Sequence, residues 1–354
     1  MRFKKVFIFL FLLTSIFSSR APGVTGERTY KIFRGVSHVH TQFSHDSSAS
    51  LDLLIEKAAQ SNFDFVIVTD HNSMGGLSLY QKMRRPERPL LIFGDEISAP
   101  DGHLIALGIP APPTEEMSSQ KLIDWIHTQG GYAIIPHPFG QKNPWKNWDV
   151  KGWDGLEVYN FGHELHGEGG ADFAMEALFG DPRPELKSLQ KVSEKYFSFW
   201  DDALKVRPVA GLGGTDAHMK CRPEGFLAAL ESVTLYVIAD TLEENKIVKA
   251  VGTGRAFMAF ETRGIASEFL FWAETNEKTV GPGETLEVQD DTEISFHVRV
   301  PVSAKIKVIY NGSIVVEEEA GELNFSAGEA GAYRIEVYQG RDLWIFSNPI
   351  YLSA

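Results

Sequence analysis

From residue 30 to about residue 260, short apolar runs rich in β-branched residues alternate with stretches of helical periodicity. Strand-like runs fall at residues 31–40, 63–69, 90–94, 104–108, 132–136, 155–160, 208–212, 233–239 and 256–260. Between them, Leu51, Leu54, Ile55, Ala58 and Ala59 mark one helical face, and Leu122, Ile123 and Ile126 mark another. Strands alternating with amphipathic helices predict βα units and a mainly parallel sheet, and about seven such units fit a barrel. From about residue 267 the pattern changes to turn-separated strands. KIKVIY and SIVVEEE flank Asn311-Gly312, and because both turn residues tolerate positive φ a tight hairpin is predicted there. The last ~90 residues have the size and pattern of a small all-β, immunoglobulin-like sandwich.

The first 20 residues follow neither pattern. Arg2, Lys4 and Lys5 precede an apolar run beginning at Val6, the arrangement of a secretory signal. Since a bilayer span takes about 20 apolar residues, no stable transmembrane span is expected, and a secreted or periplasmic location is. The expected organisation is a signal peptide over residues 1–20, an α/β barrel over 28–264 and a β-sandwich over 265–354. A length of 354 residues agrees with about two domains. The formal charge of −13 becomes −17 once the four basic residues of the signal are removed. That balance excludes a broad nucleic-acid-binding surface, which would need clustered Lys and Arg. An anionic substrate stays open if a metal supplies positive charge locally. The single cysteine, Cys221, allows neither an intramolecular disulfide nor a Cys-based zinc site. Metal chemistry therefore falls to the eleven histidines and the carboxylates.

Those residues gather at strand ends. His38 and His40 are one residue apart at the end of the first strand. Residues i and i+2 of a strand share a face, so both rings can reach one cation at the carboxyl-end mouth of a barrel. FDFVIVTDH ends on Asp70-His71, LLIFGDE on Asp95-Glu96, AIIPHP carries His137, and VAGLGGTDAH carries Asp216 and His218. Each group is costly to bury unpaired, so repetition at five strand ends points to a shared cation site. A mixed imidazole and carboxylate set suits Zn, Mn or Fe(II) better than Ca or Mg.

The motifs HVHTQFSHD, TDHNS, GDEIS, IPHP and GTDAH, in that order over residues 33–218, resemble the PHP (polymerase and histidinol phosphatase) family of metal-dependent hydrolases. The resemblance implies a distorted (β/α)7 PHP-type barrel holding two or three divalent metal ions (Zn, Mn or Fe). By motif position it implies His38, His40, His71, Glu96, His137, Asp216 and His218 as ligands. It also implies an acidic or imidazole ligand soon after the first two histidines. His45 and Asp46 both stand there, and Asp46 is preferred because the preceding Ser-His resembles an insertion. His103, in GHLIALG, fits a further ligand position. A barrel followed by a sandwich ending in WIFSNPIYL resembles the exported carbaryl-hydrolase-like branch, which sets ester or carbamate cleavage beside phosphoester cleavage.

The expected activity is hydrolysis of a small phosphomonoester or phosphodiester by a metal-activated water. Glu96, with two oxygens to share, is the candidate for bridging two ions, and Asp216 for both binding metal and accepting the proton of the nucleophile. Lys220 and Arg222 are candidates to contact an anionic oxygen of the substrate. His163-Glu164-Leu165-His166 has a spacing of three rather than the four of a zincin. With the glycines that follow, it predicts a pocket-lining loop in which His163 contacts substrate. Trp145, Trp148 and Trp153 form either a lid or packing against the barrel rim, and Cys221 has no basis as a nucleophile. Carboxylic ester or carbamate hydrolysis is the alternative within enzymes, and a non-catalytic binding or adhesion protein is the alternative outside them. The sandwich either braces the barrel or contacts the cell envelope.

Overall fold

The computed structural model describes residues 31–83, 87–166, 170–220, 222–287 and 294–353. The expected signal peptide, the start of the barrel at residue 28 and Cys221 lie outside the described residues. All nine strand-like runs of the first 260 residues form strands. In one sheet Leu90–Phe93, Phe65–Val68 and Lys31–Val39 run parallel, and Thr234–Ala239 and Ala256–Ala259 add on antiparallel. The other sheet holds Asp95–Ala99, Gly102–Leu107, Tyr132–Ile135, Gly155–Asn160 and Ala210–Gly214. The parallel strands are buried along most of their length, which is why they read as near-continuous apolar runs. Helices cover them, two starting at Ser50 and Ser118, whose side chains accept from the backbone N–H of Leu53 and Lys121.

Two mixed sheets thus stand where one seven-stranded parallel barrel is implied. The cause is local. At Gly94 the chain passes from one sheet to the other, so close to the neighbouring backbone that an added Cβ would lie 2.8 Å from the Ala106 carbonyl oxygen. It then folds back as an antiparallel hairpin, Asp95–Ala99 with Gly102–Leu107. Backbone bridges at the strand ends, Val39 with Ala217 and His71 with Glu96, join the two sheets.

The carboxyl-terminal strands are joined to a sheet of the amino-terminal part. Ala256–Ala259 pairs antiparallel with Asp342–Ser347, so Ile294–Tyr310, Gly331–Gln339 and Asp342–Ser347 extend the first sheet. Tyr236 and Phe257 from the amino-terminal part belong to the same buried cluster as Phe296, Ile306 and Trp344. Asn348, in the WIFSNPIYL phrase, accepts from the Gly211 N–H at 2.7 Å and donates to the carbonyls of Gly211 (3.0 Å) and Ala256 (3.1 Å). The predicted hairpin joins Ile294–Tyr310 to Ser313–Ala327, with Asn311 at φ 47° and Gly312 at φ 84°. Trp145 and Trp153 are buried, and Trp148 lies 4.2 Å from the Phe199 ring, so these tryptophans pack rather than form a lid. Among the described residues no helix is long and apolar enough to cross a membrane.

Candidate metal centre

The strand ends are stitched by backbone hydrogen bonds, and this draws the polar residues together. His40 N–H donates to Ala217, Thr69 N–H to Val39, and Glu96 N–H to Asp70. His38, however, does not sit in a regular strand. It has φ 64° at a register shift between Val36 and Val39, so simple two-residue alternation is not what aims its ring. A bulge re-aims it. His137 (φ 29°) and Asp216 (φ 48°) also occupy left-handed backbone conformations, which non-glycine residues adopt at a cost and which collect at functional sites.

Glu96, fully buried, is the hub. Its Oε2 lies 3.2 Å from His38 Nε2, 3.2 Å from His40 Nε2 and 3.1 Å from His71 Nδ1. Its Oε1 lies 2.8 Å from His103 Nδ1 and 2.9 Å from His137 Nε2. Asp216 Oδ1 faces His40 Nε2 at 3.3 Å and His38 Nε2 at 3.5 Å, and Asp46 Oδ2 faces His218 Nε2 at 3.0 Å. The nine side chains fall into four overlapping sets able to hold an ion: His40, Asp46, His71 and His218; His38, His40 and Asp216; His38, Glu96 and His137; and His71, Glu96 and His103. Asp46 belongs to one of these sets and His45 to none, although the His45 ring lies 5.0 Å from that of His71.

Five buried atoms of this cluster, His38 Nε2, His40 Nε2, His71 Nδ1, Glu96 Oε2 and His218 Nε2, have no partner with hydrogen-bond geometry. Buried polar atoms are otherwise almost always satisfied, and these five converge, so the residues present suit divalent cations. Hydrogen bonds on the far side of the rings set which nitrogen faces inward. His218 Nδ1 pairs with the Asp216 carbonyl at 2.8 Å, and His40 Nδ1 with Ser44 Oγ at 3.3 Å. Each leaves its Nε2 for the centre.

A cavity of about 810 Å3 opens over the cluster. His163, Lys220 and Arg222 line it, together with Lys142, Asn143 and His166. Arg222 is partly engaged, donating to the Leu178 carbonyl and pairing with Glu224 at 3.3 Å, whereas Lys220 is exposed. The expected loop at residues 163–166 begins instead as one helical turn, Phe161–Glu164, because Asn160 caps the His163 N–H at 2.8 Å. Sequence reasoning missed Lys142 and Asn143, which sit in a Gly- and Asn-rich segment with no periodic signal. It also passed over Glu157, the one charged residue in the buried strand GLEVYN; that lone charge was the available signal.

Without a cation the rings and carboxylates neutralise one another. Burial opposes charge on His40, but Asp216 and Glu96 outweigh it and raise its pKa to about 9. Burial likewise opposes charge on His38, where Glu157 and Glu96 prevail, and on His137, where Glu96 does; both are raised. For Glu96 and Asp216, burial is overcome by the histidines around them, His38 foremost, and both are held well below the carboxylate range. Burial also opposes ionisation of Asp46, but hydrogen bonds from His218 and His71 keep it ionised. The raised histidines stabilise the metal-free fold fully below about 6.5, and that contribution is lost as pH rises through about 9. The depressed carboxylates contribute above about 4, and their part is lost in acid. Ligand histidines must be neutral, so Zn2+ uptake at pH 7 is expected to release protons and to tighten as pH rises towards 9. Calorimetric titration in buffers of different ionisation enthalpy reads this directly, and uptake without proton release would refute it.

Fold and cluster together define an α/β scaffold whose strand ends carry a buried histidine and carboxylate centre. Residues 37–136 match the PHP domain family. An uncharacterized protein of Methanocaldococcus jannaschii is 27% identical over 139 residues, covering 36% of this chain and 81% of that protein. Among solved structures, a two-domain protein from Bacteroides vulgatus containing a predicted PHP-like metal-dependent phosphoesterase is 14% identical. Its TM-score is 0.45, over 95% of this chain and 99% of that one. An amidohydrolase from Chromobacterium violaceum with bound sulfate and no metal is 15% identical with a TM-score of 0.36, over 54% of this chain and 89% of that one.

Proposed function

We propose that the chain is an exported, metal-dependent phosphoesterase acting on a small phosphomonoester or phosphodiester. The observation that carries this is that five buried atoms of one histidine and carboxylate cluster, Glu96 Oε2 among them, have no hydrogen-bond partner. His38, His40, Asp46, His71, Glu96, His103, His137, Asp216 and His218 would hold two or three divalent ions (Zn, Mn or Fe), with Glu96 as the central carboxylate. Bound ions of this kind supply Lewis acidity and lower the pKa of a water. The chain does the rest. Asp216, which lines the cavity, accepts the proton of the attacking water. Lys220, with Arg222 and His163 beside it, offers N–H donors to anionic oxygens. Export rests on the character of residues 1–20 alone, and contact with the cell envelope through the carboxyl-terminal strands belongs to the same proposal.

A second reading has its own observation. Phe161, Phe173, Ala174, Ala177 and Phe226 give the cavity an apolar wall, which favours an ester or carbamate with an apolar group. Purified protein loaded with Mn or Zn, assayed for metal content and against phosphomonoesters, phosphodiesters, carboxylic esters and carbamates, separates the two. Less than one ion per chain, or metal without hydrolysis of any ester, would leave a binding protein as the better description. Asp216→Asn is expected to lower kcat at least a hundredfold, within the range for loss of a general base, while elemental analysis finds metal retained. Full turnover in that variant would remove the role given to Asp216.

A further inference from the structure

We infer that Glu157 is the positioning residue of this centre, a buried carboxylate that fixes the tautomer of His38 and the backbone of His137 so that both rings face Glu96. The inference rests on the reading of the cluster as a metal centre. Glu157 lies in the strand Gly155–Asn160 and is 2% exposed. Its Oε1 lies 2.8 Å from His38 Nδ1, and its Oε2 accepts from the His137 backbone N–H at 2.9 Å and from Asn160 Nδ2 at 2.7 Å.

A carboxylate oxygen facing a ring nitrogen accepts its hydrogen bond, so a His38 that is neutral, as a metal-binding ring must be, carries its proton on Nδ1 and turns the Nε2 lone pair inward. That Nε2 is one of the five converging atoms, 3.2 Å from Glu96 Oε2. The other oxygen holds the N–H of a residue whose φ is 29°. One side chain therefore ties down two ligands with costly backbone conformations, His38 and His137, which approach the centre from different sheets. The sequence leaves room for it: a Cβ at Gly214 would stand 1.9 Å from Glu157 Oε1, and Gly214 immediately precedes the Thr215-Asp216 pair. Partners of metal-bound imidazoles that set ring orientation are worth roughly 10–100-fold in metal affinity.

Glu157→Gln tests this. An amide has one accepting oxygen and one NH2 group, so with its oxygen on the two donors it presents N–H to His38 Nδ1 and forces the His38 proton onto Nε2, the nitrogen that faces Glu96. Zn2+ affinity, measured by competition titration of the full chain, is expected to fall about 10–100-fold, with the circular dichroism of the metal-free protein unchanged. The downfield proton resonance of the His38 Nδ1–H in the zinc-loaded protein is expected to disappear. Should the Gln variant not fold, Glu157→Asp keeps the charge but is one methylene too short to reach both partners, and the same loss of affinity is expected of it. Undiminished Zn2+ affinity in a folded variant of a zinc-binding wild type would overturn the positioning role alone. A wild type that binds no Zn2+ would overturn the metal-centre reading and this proposal with it.

Discussion

Arg334→Ala is expected to cost roughly 3–5 kcal/mol of stability, the range for removing one partner of a buried ion pair. Arg334 is 2% exposed and stands in the strand Gly331–Gln339 of the carboxyl-terminal part. Its Nε and Nη2 donate to the two oxygens of Asp201 at 2.7 Å each, and its Nη1 donates to Glu336 at 2.6 Å. The guanidinium also lies over Phe197 at 4.7 Å and Trp200 at 5.4 Å from the ring centroids. Alanine would leave two carboxylates buried with no cation between them, and Asp201 belongs to the helix Glu194–Leu204 of the amino-terminal part. The same helix carries Trp200, which donates to the Val209 carbonyl at 3.0 Å and lies against Gly211, where a Cβ would come within 2.3 Å of the indole. Gly211 is in the strand that leads to Asp216. The loss should therefore be read in two ways, as a lower denaturation midpoint and as weaker Zn2+ binding. Replacing the whole buried triad, Arg334→Met with Asp201→Leu and Glu336→Gln, should recover much of the stability, because an uncharged replacement of a buried ionic group leaves no unpaired charge and is often neutral. A cost below about 1 kcal/mol for Arg334→Ala, the worth of an exposed pair, would show that the clamp does not hold the two parts together.

How much of this was legible in the sequence follows from what each signal encodes. Apolar runs ending on His, Asp or Glu specify which residues leave the core at a strand end, and the nine expected ligands do come together. The choice of Asp46 over His45 could not be made from spacing, because the two are adjacent in one turn and only the folded turn puts Asp46 Oδ2 3.0 Å from His218 Nε2. The orientation of His38 was illegible for another reason. Side-chain alternation assumes a regular strand, and a bulge is a property of pairing between strands. Pairing also decided the fate of the carboxyl-terminal part. The continuous apolar run of Asp342–Ser347 shows that the strand is buried but not that its neighbour is Ala256–Ala259, so a change of pattern near residue 265 reads as a boundary even though the sheet crosses it. Asn348 left no periodic trace, yet its side chain hydrogen-bonds to backbone in both Gly211 and Ala256.

Glu96→Ala should have the largest effect on activity, reducing turnover to that of the uncatalysed blank. The ring nitrogens within 3.2 Å of this side chain, on His38, His40, His71, His103 and His137, would lose the carboxylate that they face. Five imidazoles would then crowd one another around a void with two carboxylates, Asp46 and Asp216, left at its edge. The charge balance predicts the direction of the accompanying changes. Glu96 raises the pKa of His38, His40 and His137, so without it these rings titrate lower, and the metal-free variant should release fewer protons per ion bound at pH 7. Metal capacity should fall by at least one ion per chain, because two of the four ligand sets contain Glu96 and two do not. The set of His40, Asp46, His71 and His218 keeps all its members and should still bind, so the variant separates occupancy from catalysis. Elemental analysis after loading, set beside turnover of whichever ester the wild type cleaves, checks both. A Glu96→Ala protein with full metal content and more than about a tenth of wild-type turnover would mean that the shared carboxylate neither bridges ions nor organises the reaction.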